Sequence, residues 1–341
     1  MRMPGCSSGR MYRSMQTVCD IKDSYNLFLQ TATRILQKPR MFGRIIAMIY
    51  LENFCFPDEE RESDFFYRPN DPRLKRTCYD SFYPFQVLSR RKFRRVDFEP
   101  ITVFYGGNGC GKTTALNVIA AKLGLERDTP YNRSEFFEDY LELCDAEVIG
   151  KLPKGSRIIT SDDVFDYMLN IRSLNNGVEV RREELFEEYL EMKYSKFRMR
   201  SLDDYDQLKK VNMARSKTQS KYVRANTPGN VREYSNGESA WSYFCEKIGE
   251  NCLYLLDEPE NSLSPKRQME LMKFLEDSAR FFGCQFVIST HSPFLLAMRG
   301  AKIYDLDEDP VDVKRWTELE NVRVYYEFFR EHEGEFETNF P

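Results

Sequence analysis

A glycine-rich loop at residues 106–113 has the residue types that bind phosphate groups. The run Gly106-Gly107-Asn108-Gly109-Cys110-Gly111-Lys112-Thr113 fits the pattern GxxxxGK[ST], and it lies between an apolar stretch and an amphipathic one. Glycines let backbone N–H groups turn toward phosphate oxygens with no Cβ in the way. The sequence therefore predicts a strand, a phosphate-binding loop and then a helix over Thr113–Leu123.

The residues of this loop have separate predicted tasks. Lys112 should reach the β- and γ-phosphates of ATP, and Thr113 should coordinate Mg²⁺. The start of the helix, at Lys112–Thr114, adds the positive end of a helix dipole. The alternative is a tight glycine turn that binds nothing, and the complete pattern in its context disfavours it. The predicted nucleotide-binding residues are Gly106, Gly107, Asn108, Gly109, Cys110, Gly111, Lys112, Thr113 and Thr114.

Two carboxylates end a second apolar run. Leu253-Tyr254-Leu255-Leu256 leads directly into Asp257 and Glu258. We expect Asp257 to hold Mg²⁺, directly or through water, and Glu258 to polarise the attacking water as a general base. Taken alone, the two acids could simply be solvated at the end of a strand, but beside a phosphate-binding loop the catalytic interpretation is favoured.

Composition narrows the class of protein. The chain has 341 residues, a net charge of −4 and no apolar run near the roughly 20 residues that span a bilayer. Its nine cysteines include no CxxC pair, which suits reduced thiols in a cytoplasmic protein. Only two histidines occur, which excludes a histidine-rich metal site. The mild acidity argues against a surface coated with nucleic-acid-binding charge.

The order of elements indicates an α/β fold. Strand-like runs at 45–53, 84–88, 95–98 and 101–105 predict an antiparallel β-region that leads into a central strand. Further strands at 252–256, 284–289 and 301–306, with a helix at 264–282, predict a mostly parallel sheet flanked by helices. We expect an N-terminal extension over residues 1–43, an ATPase domain over 44–341 and a charged helical lid over 126–230.

Three further motifs follow in a characteristic order. They are Ser235-Asn236-Gly237-Glu238-Ser239, Asn261-Ser262-Leu263 and Thr290-His291-Ser292-Pro293. With the phosphate-binding loop and the Asp257-Glu258 pair, they resemble the signature motif, the D-loop and the H-loop of ABC-type ATPases. The residues in these motifs are more similar to those of the RecF/SMC-like group, including small stand-alone bacterial AAA family ATPases, than to those of transporter subunits. The resemblance implies a P-loop NTPase fold of the ABC-ATPase type.

The resemblance also implies a mechanism and a set of contacts. Two protomers would enclose two ATP molecules head to tail, and Ser235, Gly237 and Glu238 of one protomer would complete the site of the other. His291 would sense the γ-phosphate. The glutamine that such proteins carry after the strand at 157–161 is missing here. Asp162 and Asp163 stand there instead, and the sequence leaves open whether either one faces the metal.

The wider role has several candidates. Relatives of this kind act on DNA or beside a DNA-acting partner, such as a soluble nuclease or effector, in repair or phage defence. The alternatives are a nucleotide-binding subunit of a transporter and a regulatory ATP-binding switch with little turnover. Lys193–Arg224 carries ten basic residues against three acidic ones, so it is a candidate surface for DNA or a partner protein. The alternative, which the acids at 183–191 favour because they can pair with these bases, is a solvated helical lid.

Overall fold

The computed structural model describes residues 48–67, 72–74, 81–197, 204–227 and 236–337. The chain divides into two units, Met1–Ile46 and Ala47–Pro341. The predicted extension at 1–43 and the signature residue Ser235 lie outside the described residues, and so does part of the basic segment, at 198–203. No helix in the described ranges is long and apolar enough to cross a membrane.

The described part of the second unit contains the following regular elements. The strands are β1 (Leu51–Cys55), β2 (Arg95–Asp97), β3 (Ile101–Tyr105), β4 (Asp145–Val148), β5 (Arg157–Thr160), β6 (Leu253–Asp257), β7 (Gln285–Ser289), β8 (Lys302–Asp305) and β9 (Asp312–Lys314). The helices are α1 (Glu59–Phe66), α2 (Lys112–Leu123), α3 (Phe137–Leu143), α4 (Ser161–Tyr194), α5 (Tyr205–Ser216), α6 (Gln219–Asn226), α7 (Asn236–Lys247), α8 (Pro265–Phe281), α9 (Pro293–Leu296), α10 (Glu320–Glu331) and α11 (Glu333–Glu337).

A six-stranded sheet carries the motifs. Its order is β5-β6-β7-β3-β8-β9, and every neighbouring pair is parallel except β8 and β9. All residues of β3, β6 and β7 are buried, as expected for strands covered by helices on both faces. The carboxyl ends of these three adjacent strands meet at one edge of the sheet. The mostly parallel α/β architecture predicted from the sequence is confirmed.

An antiparallel sheet of order β2-β1-β4 packs beside the parallel one, and a buried glutamine connects the two. The Oε1 atom of Gln285, on β7, accepts hydrogen bonds from the backbone N–H groups of Tyr50 (2.8 Å) and Leu51 (2.9 Å). Its Nε2 atom donates to the carbonyl oxygens of Leu51 (2.9 Å) and Glu99 (3.4 Å). One side chain thus satisfies backbone groups at the junction of both sheets.

Two predicted elements were wrong. Residues 84–88 are not a strand, because Gln86 has a left-handed φ of 63° and the Val87 N–H bonds back to the Pro84 carbonyl (3.3 Å). The first part of the predicted lid, 126–160, is not all helical, because it contains α3, β4 and β5, and of these two strands the sequence indicated only β5. The residues of β4 do alternate between polar and apolar types, but four residues are too few for this period to be distinguished from a helical pattern.

The helical part of the lid region begins at Ser161 and includes α4, α5 and α6. It has a small hydrophobic core of its own, separate from the core around the sheets. The buried members of that core are Leu185, Tyr189, Ala214, Tyr222 and Val223. This core is therefore built by three helices, without a residue of the parallel sheet.

The buried carboxyl group of Glu62, on α1, gives the fold a pH dependence. Its Oε2 atom accepts hydrogen bonds from the Gln86 N–H and the Ser89 hydroxyl, both at 2.8 Å, while its Oε1 atom is buried without a partner among the described residues. Burial raises the pKa of Glu62 above its usual range. The protonated form is therefore favoured on folding, and this contribution to stability is lost as the pH rises through the folded-state pKa.

We expect Glu62→Gln to unfold at a higher temperature than the wild type at pH 8, because the amide carries no charge to desolvate. The gain should shrink as the pH is lowered to about 4, where Glu62 of the wild type is itself protonated. Thermal unfolding of both proteins at the two pH values measures this. Glu60→Gln, an exposed position on the same helix, is the control. A gain of equal size at both pH values would contradict the expectation.

Candidate active site

The phosphate-binding loop connects β3 to α2 and needs its glycines for shape. Gly106, Gly109 and Gly111 have positive φ angles of 152°, 82° and 104°. A Cβ on Gly106 would lie 2.6 Å from the Cys110 sulfur, and a Cβ on Gly111 would lie 2.9 Å from a Leu88 methyl group. The loop therefore keeps its curvature only with glycine at these positions. Helix α2 has no side-chain cap at its N-terminus, so its first N–H groups are donors for a ligand.

Lys112 lies buried over the centre of the loop. Its Nζ atom donates to the carbonyl oxygens of Gly106 (2.7 Å) and Gly107 (3.0 Å). A second contact fixes the start of the loop: the Gly107 N–H donates a hydrogen bond to the Asp307 carboxylate at 2.6 Å. The loop thus offers the Lys112 ammonium group and several backbone N–H groups, which together suit the binding of a polyphosphate.

Asp257, at the end of β6, meets the phosphate-binding loop at Thr113. Its Oδ1 atom accepts hydrogen bonds from the Thr113 hydroxyl (3.1 Å) and from the Ser289 hydroxyl. Burial raises the pKa of Asp257, although both hydroxyl groups oppose the shift. A buried carboxylate whose neighbours are hydroxyl groups gains most from a cation.

The pair Thr113 and Asp257 fits Mg²⁺. This ion is usually held in nucleotide sites by one or two protein oxygens, while phosphate oxygens and water complete an octahedron. In the described ranges, no group of three or more His, Cys, Asp or Glu side chains could hold a metal ion by itself. A site with so few protein ligands suits an ion that arrives with a phosphate ligand.

Glu258, the next residue, is held as an ionised carboxylate. Its Oε1 atom is 3.2 Å from the His291 Nε2 atom, and its Oε2 atom accepts a hydrogen bond of 3.1 Å from the Asn261 side-chain amide. These contacts, with that to His291 the strongest, lower the pKa of Glu258 below its usual range. Its backbone has a left-handed φ of 47°, and its N–H donates to the Ser289 carbonyl at 3.0 Å. Such backbone strain, on the order of 1–3 kcal/mol, is concentrated at functional positions.

The loop that carries His291 is held from two sides. The Oε1 atom of Glu260 accepts hydrogen bonds from the backbone N–H groups of His291 (2.6 Å) and Ser292 (3.2 Å). On the other side, the Asn321 side chain, in the first turn of α10, donates to the His291 carbonyl at 2.9 Å. Both contacts fix the backbone of this loop, and its imidazole can then meet Glu258.

The signature residues in the described part of the chain lie beside the D-loop. A Cβ on Gly237 would be 3.3 Å from the Ser262 carbonyl oxygen, and the Glu238 carboxylate is 3.9 Å from the Arg267 guanidinium. Their helix, α7, packs against α4 and α8, whereas α2 packs against β6 and β7. The structure therefore brings the phosphate-binding loop, the two carboxylates and His291 together, and it places Gly237 and Glu238 with a different set of neighbours.

A cavity of about 280 Å³ opens beside Thr113 and Asp257. Asp162 lines it. The side chain of Asp163 is instead turned to the start of α4, where its Oδ2 atom accepts hydrogen bonds from the N–H (2.6 Å) and hydroxyl (2.9 Å) of Thr160. Asp163 is therefore occupied as a helix cap, and of the two acids only Asp162 faces the predicted metal site.

Sequence reasoning missed several residues that shape the site. Ser289 and Glu260 bind the catalytic segments, Asn321 holds the His291 loop, and Asp307 holds the phosphate-binding loop. For Ser289 and Glu260 a signal existed, since they stand next to the His291 motif and the Asp257-Glu258 pair. Asn321 and Asp307 come from other parts of the chain, and no local pattern marks them.

Comparisons with known proteins gave one family match over part of the chain and several distant structural likenesses. Residues 206–297 match the family model described as "AAA domain, putative AbiEii toxin, Type IV TA system". The matched stretch contains Asp257, Glu258 and His291, and it does not include the phosphate-binding loop. A search of curated protein sequences found no significant match.

Several solved structures show distant likeness. The Smc head domain of Pyrococcus furiosus, bound to the C-terminal domain of ScpA, is 12% identical over 70% of this chain and 95% of that one, with a TM-score of 0.35. A putative metal-chelate type ABC transporter is 20% identical over 65% and 76%, with a TM-score of 0.32. A dimeric ATP-binding cassette bound to ADP and Pi is 14% identical over 65% and 87%, with a TM-score of 0.30. These likenesses are too distant to assign activity or partners. Residues 206–297 are therefore similar to an AAA domain, which agrees with the resemblance drawn from the motifs.

Proposed function

We propose that this chain binds ATP with Mg²⁺ and hydrolyses it to ADP and phosphate. One observation carries the proposal: a phosphate-binding loop, a buried aspartate and a glutamate–histidine pair meet at the carboxyl ends of three adjacent strands. Crevices at the carboxyl ends of parallel strands are where α/β proteins bind ligands. Lys112 would exchange its carbonyl partners for phosphate oxygens, and Thr113 and Asp257 would hold the ion.

The chemistry follows from the charges at this edge of the sheet. Mg²⁺, when bound, neutralises charge on the phosphates and orients them. Glu258, ionised and fixed between His291 and Asn261, orients the attacking water and accepts its proton. His291 would hold that carboxylate in place and contact the terminal phosphate.

We further propose that two protomers enclose the nucleotide. Gly237 and Glu238 have neighbours other than the phosphate-binding loop in their own chain, as expected if they, with Ser235, serve a second protomer. ATP would then join the protomers and hydrolysis would release them, which makes the dimer a switch. Light scattering with and without ATP and Mg²⁺ tests this. A mass that stays monomeric with ATP would exclude the shared site.

Removing the Lys112 charge tests nucleotide binding itself. We expect Lys112→Ala to weaken the binding of a fluorescent ATP analogue at least about tenfold, because a charge-assisted contact to phosphate contributes about 1.5–3 kcal/mol. Equilibrium titration measures the loss. Lys122→Ala is the matched control, since Lys122 lies on the same helix and donates to the Leu141 carbonyl (2.8 Å). Equal affinity in wild type and Lys112→Ala would remove the central observation of the proposal.

For the wider role, we propose action on DNA or on a DNA-acting partner, in repair or defence. This proposal is supported by the basic segment at 193–224 and by the similarity of the motifs to those of the RecF/SMC-like group. Part of that segment is already neutralised, since Lys210 pairs with Glu188 at 2.8 Å. ATP turnover measured at low salt, with and without duplex and single-stranded DNA, distinguishes action on DNA from the other roles. Stimulation supports DNA action, and unchanged turnover favours a protein partner or a regulatory switch.

A further inference from the structure

Arg127 is a half-buried cation with unused donors. It follows α2, and its Nη2 atom donates to the Asn117 side-chain oxygen at 3.0 Å. Its guanidinium lies 3.9 Å from the centre of the Tyr131 ring. The Nε and Nη1 atoms are buried, and neither has a hydrogen-bond partner among the described residues. The side chain is thus held by one amide and one ring, and two of its nitrogens are left for something else.

Leaving these donors without partners is costly. A buried donor that has lost its water and gained no partner lowers the stability of the fold, and a charged donor lowers it further. Burial lowers the pKa of Arg127, and the nearby carboxyl groups of Asp163 and Asp257 oppose that shift. An arginine remains charged in a protein despite such a shift. The arrangement is therefore a preformed anion receptor that costs stability until its ligand arrives.

The position of Arg127 indicates which anion it takes. Arg127 lines the 280 Å³ cavity whose walls also include Thr113 and Asp257, the predicted metal ligands. The cavity has room for a phosphate group with a hydrated ion. A planar guanidinium with two free N–H directions matches the oxygens of a phosphate group.

We infer that Arg127 binds the terminal phosphate of ATP held by its own protomer, and so distinguishes the triphosphate from the diphosphate. This inference rests on the proposed function, because it needs a nucleotide in the phosphate-binding loop. It adds a residue that none of the sequence motifs contains. Arg127 would thereby be a second cation, besides Lys112, at the phosphate end of the nucleotide.

The test compares two nucleotides in the full chain. Titrations with fluorescent ADP and with a fluorescent non-hydrolysable ATP analogue, both with Mg²⁺, give two dissociation constants for each variant. We expect Arg127→Ala to weaken the ATP analogue 10- to 100-fold, as expected for the loss of a charge-assisted contact, and to change ADP affinity less than threefold. Arg127→Lys keeps the charge without the fork and should lie between the two.

Arg133→Ala is the matched control. Arg133 approaches the same Tyr131 ring (5.5 Å), and its guanidinium is already paired with Glu138. It should leave both dissociation constants unchanged. An equal loss for both nucleotides in Arg127→Ala, or no loss for either, overturns the inference. If Arg127→Ala does not fold, the ratio of the two constants in Arg127→Lys decides, and an unchanged ratio overturns it. Failure of the wild type to bind either nucleotide would instead show that the proposed function itself is wrong.

Discussion

Glu258→Gln is expected to lower ATP turnover at least about 100-fold while ATP still binds. General bases contribute roughly 10²–10⁴-fold to proton-transfer reactions, and the amide cannot accept the proton of the attacking water. The substitution is otherwise mild, because a glutamine side chain can still hydrogen bond to His291 and Asn261. The lowered pKa of Glu258 means that the wild-type carboxylate is ionised throughout the neutral pH range, so the whole effect should be visible there.

Steady-state phosphate release and fluorescent nucleotide titration measure the two halves of this prediction. Glu270→Gln is a suitable control, because Glu270 lies on α8 and pairs with Arg267. If ATP joins two protomers, the slow variant should also accumulate as an ATP-bound dimer in size-exclusion chromatography. Turnover within a few-fold of the wild type would mean that another group activates the water, and Glu258 would then be only a partner of His291.

Gln285→Leu is expected to lower the free energy of unfolding by about 3–5 kcal/mol. Leucine fills a similar volume but leaves the N–H groups of Tyr50 and Leu51 and the Leu51 carbonyl buried without their partner. Each orphaned group costs about 1–3 kcal/mol. The loss should be large because Gln285 is fully buried, so water cannot take the place of the side chain.

Chemical denaturation followed by circular dichroism measures the loss. Tyr50→Phe is the matched control at the same junction, since it removes only the hydroxyl bond to the Gly283 carbonyl (3.0 Å). It should cost about 1 kcal/mol. A loss below 1 kcal/mol in Gln285→Leu would contradict the prediction and show that the two sheets are held together by apolar packing alone.

The phosphate-binding loop and the two carboxylates could be predicted from the sequence because their geometry is local. A strand, a glycine loop and a helix follow one another directly, and Asp257 and Glu258 simply end a strand. That these segments converge also follows from the sequence, since the ends of parallel strands meet at one edge.

The supporting contacts could not be predicted, because they join distant parts of the chain. Gln285 meets Leu51 across 234 positions, and the Gly107 N–H meets Asp307 across 200. The role of a polar residue in a buried strand cannot be recognised until its hydrogen-bond partners are known. The roles of Asp162 and Asp163 also required the structure, because only the bond from Thr160 shows which acid is a helix cap.

The hydrogen bond between Asn321 and the His291 loop couples helix α10 to the candidate active site. Asn321 belongs to the first turn of α10, and beyond it Tyr325, Tyr326, Phe328 and Phe329 are exposed along the same helix. A displacement of α10 must either move the His291 backbone or break the Asn321 bond. If a molecule binds α10 and moves the His291 backbone with it, and the nucleotide contacts His291, each ligand alters the affinity for the other by the same factor.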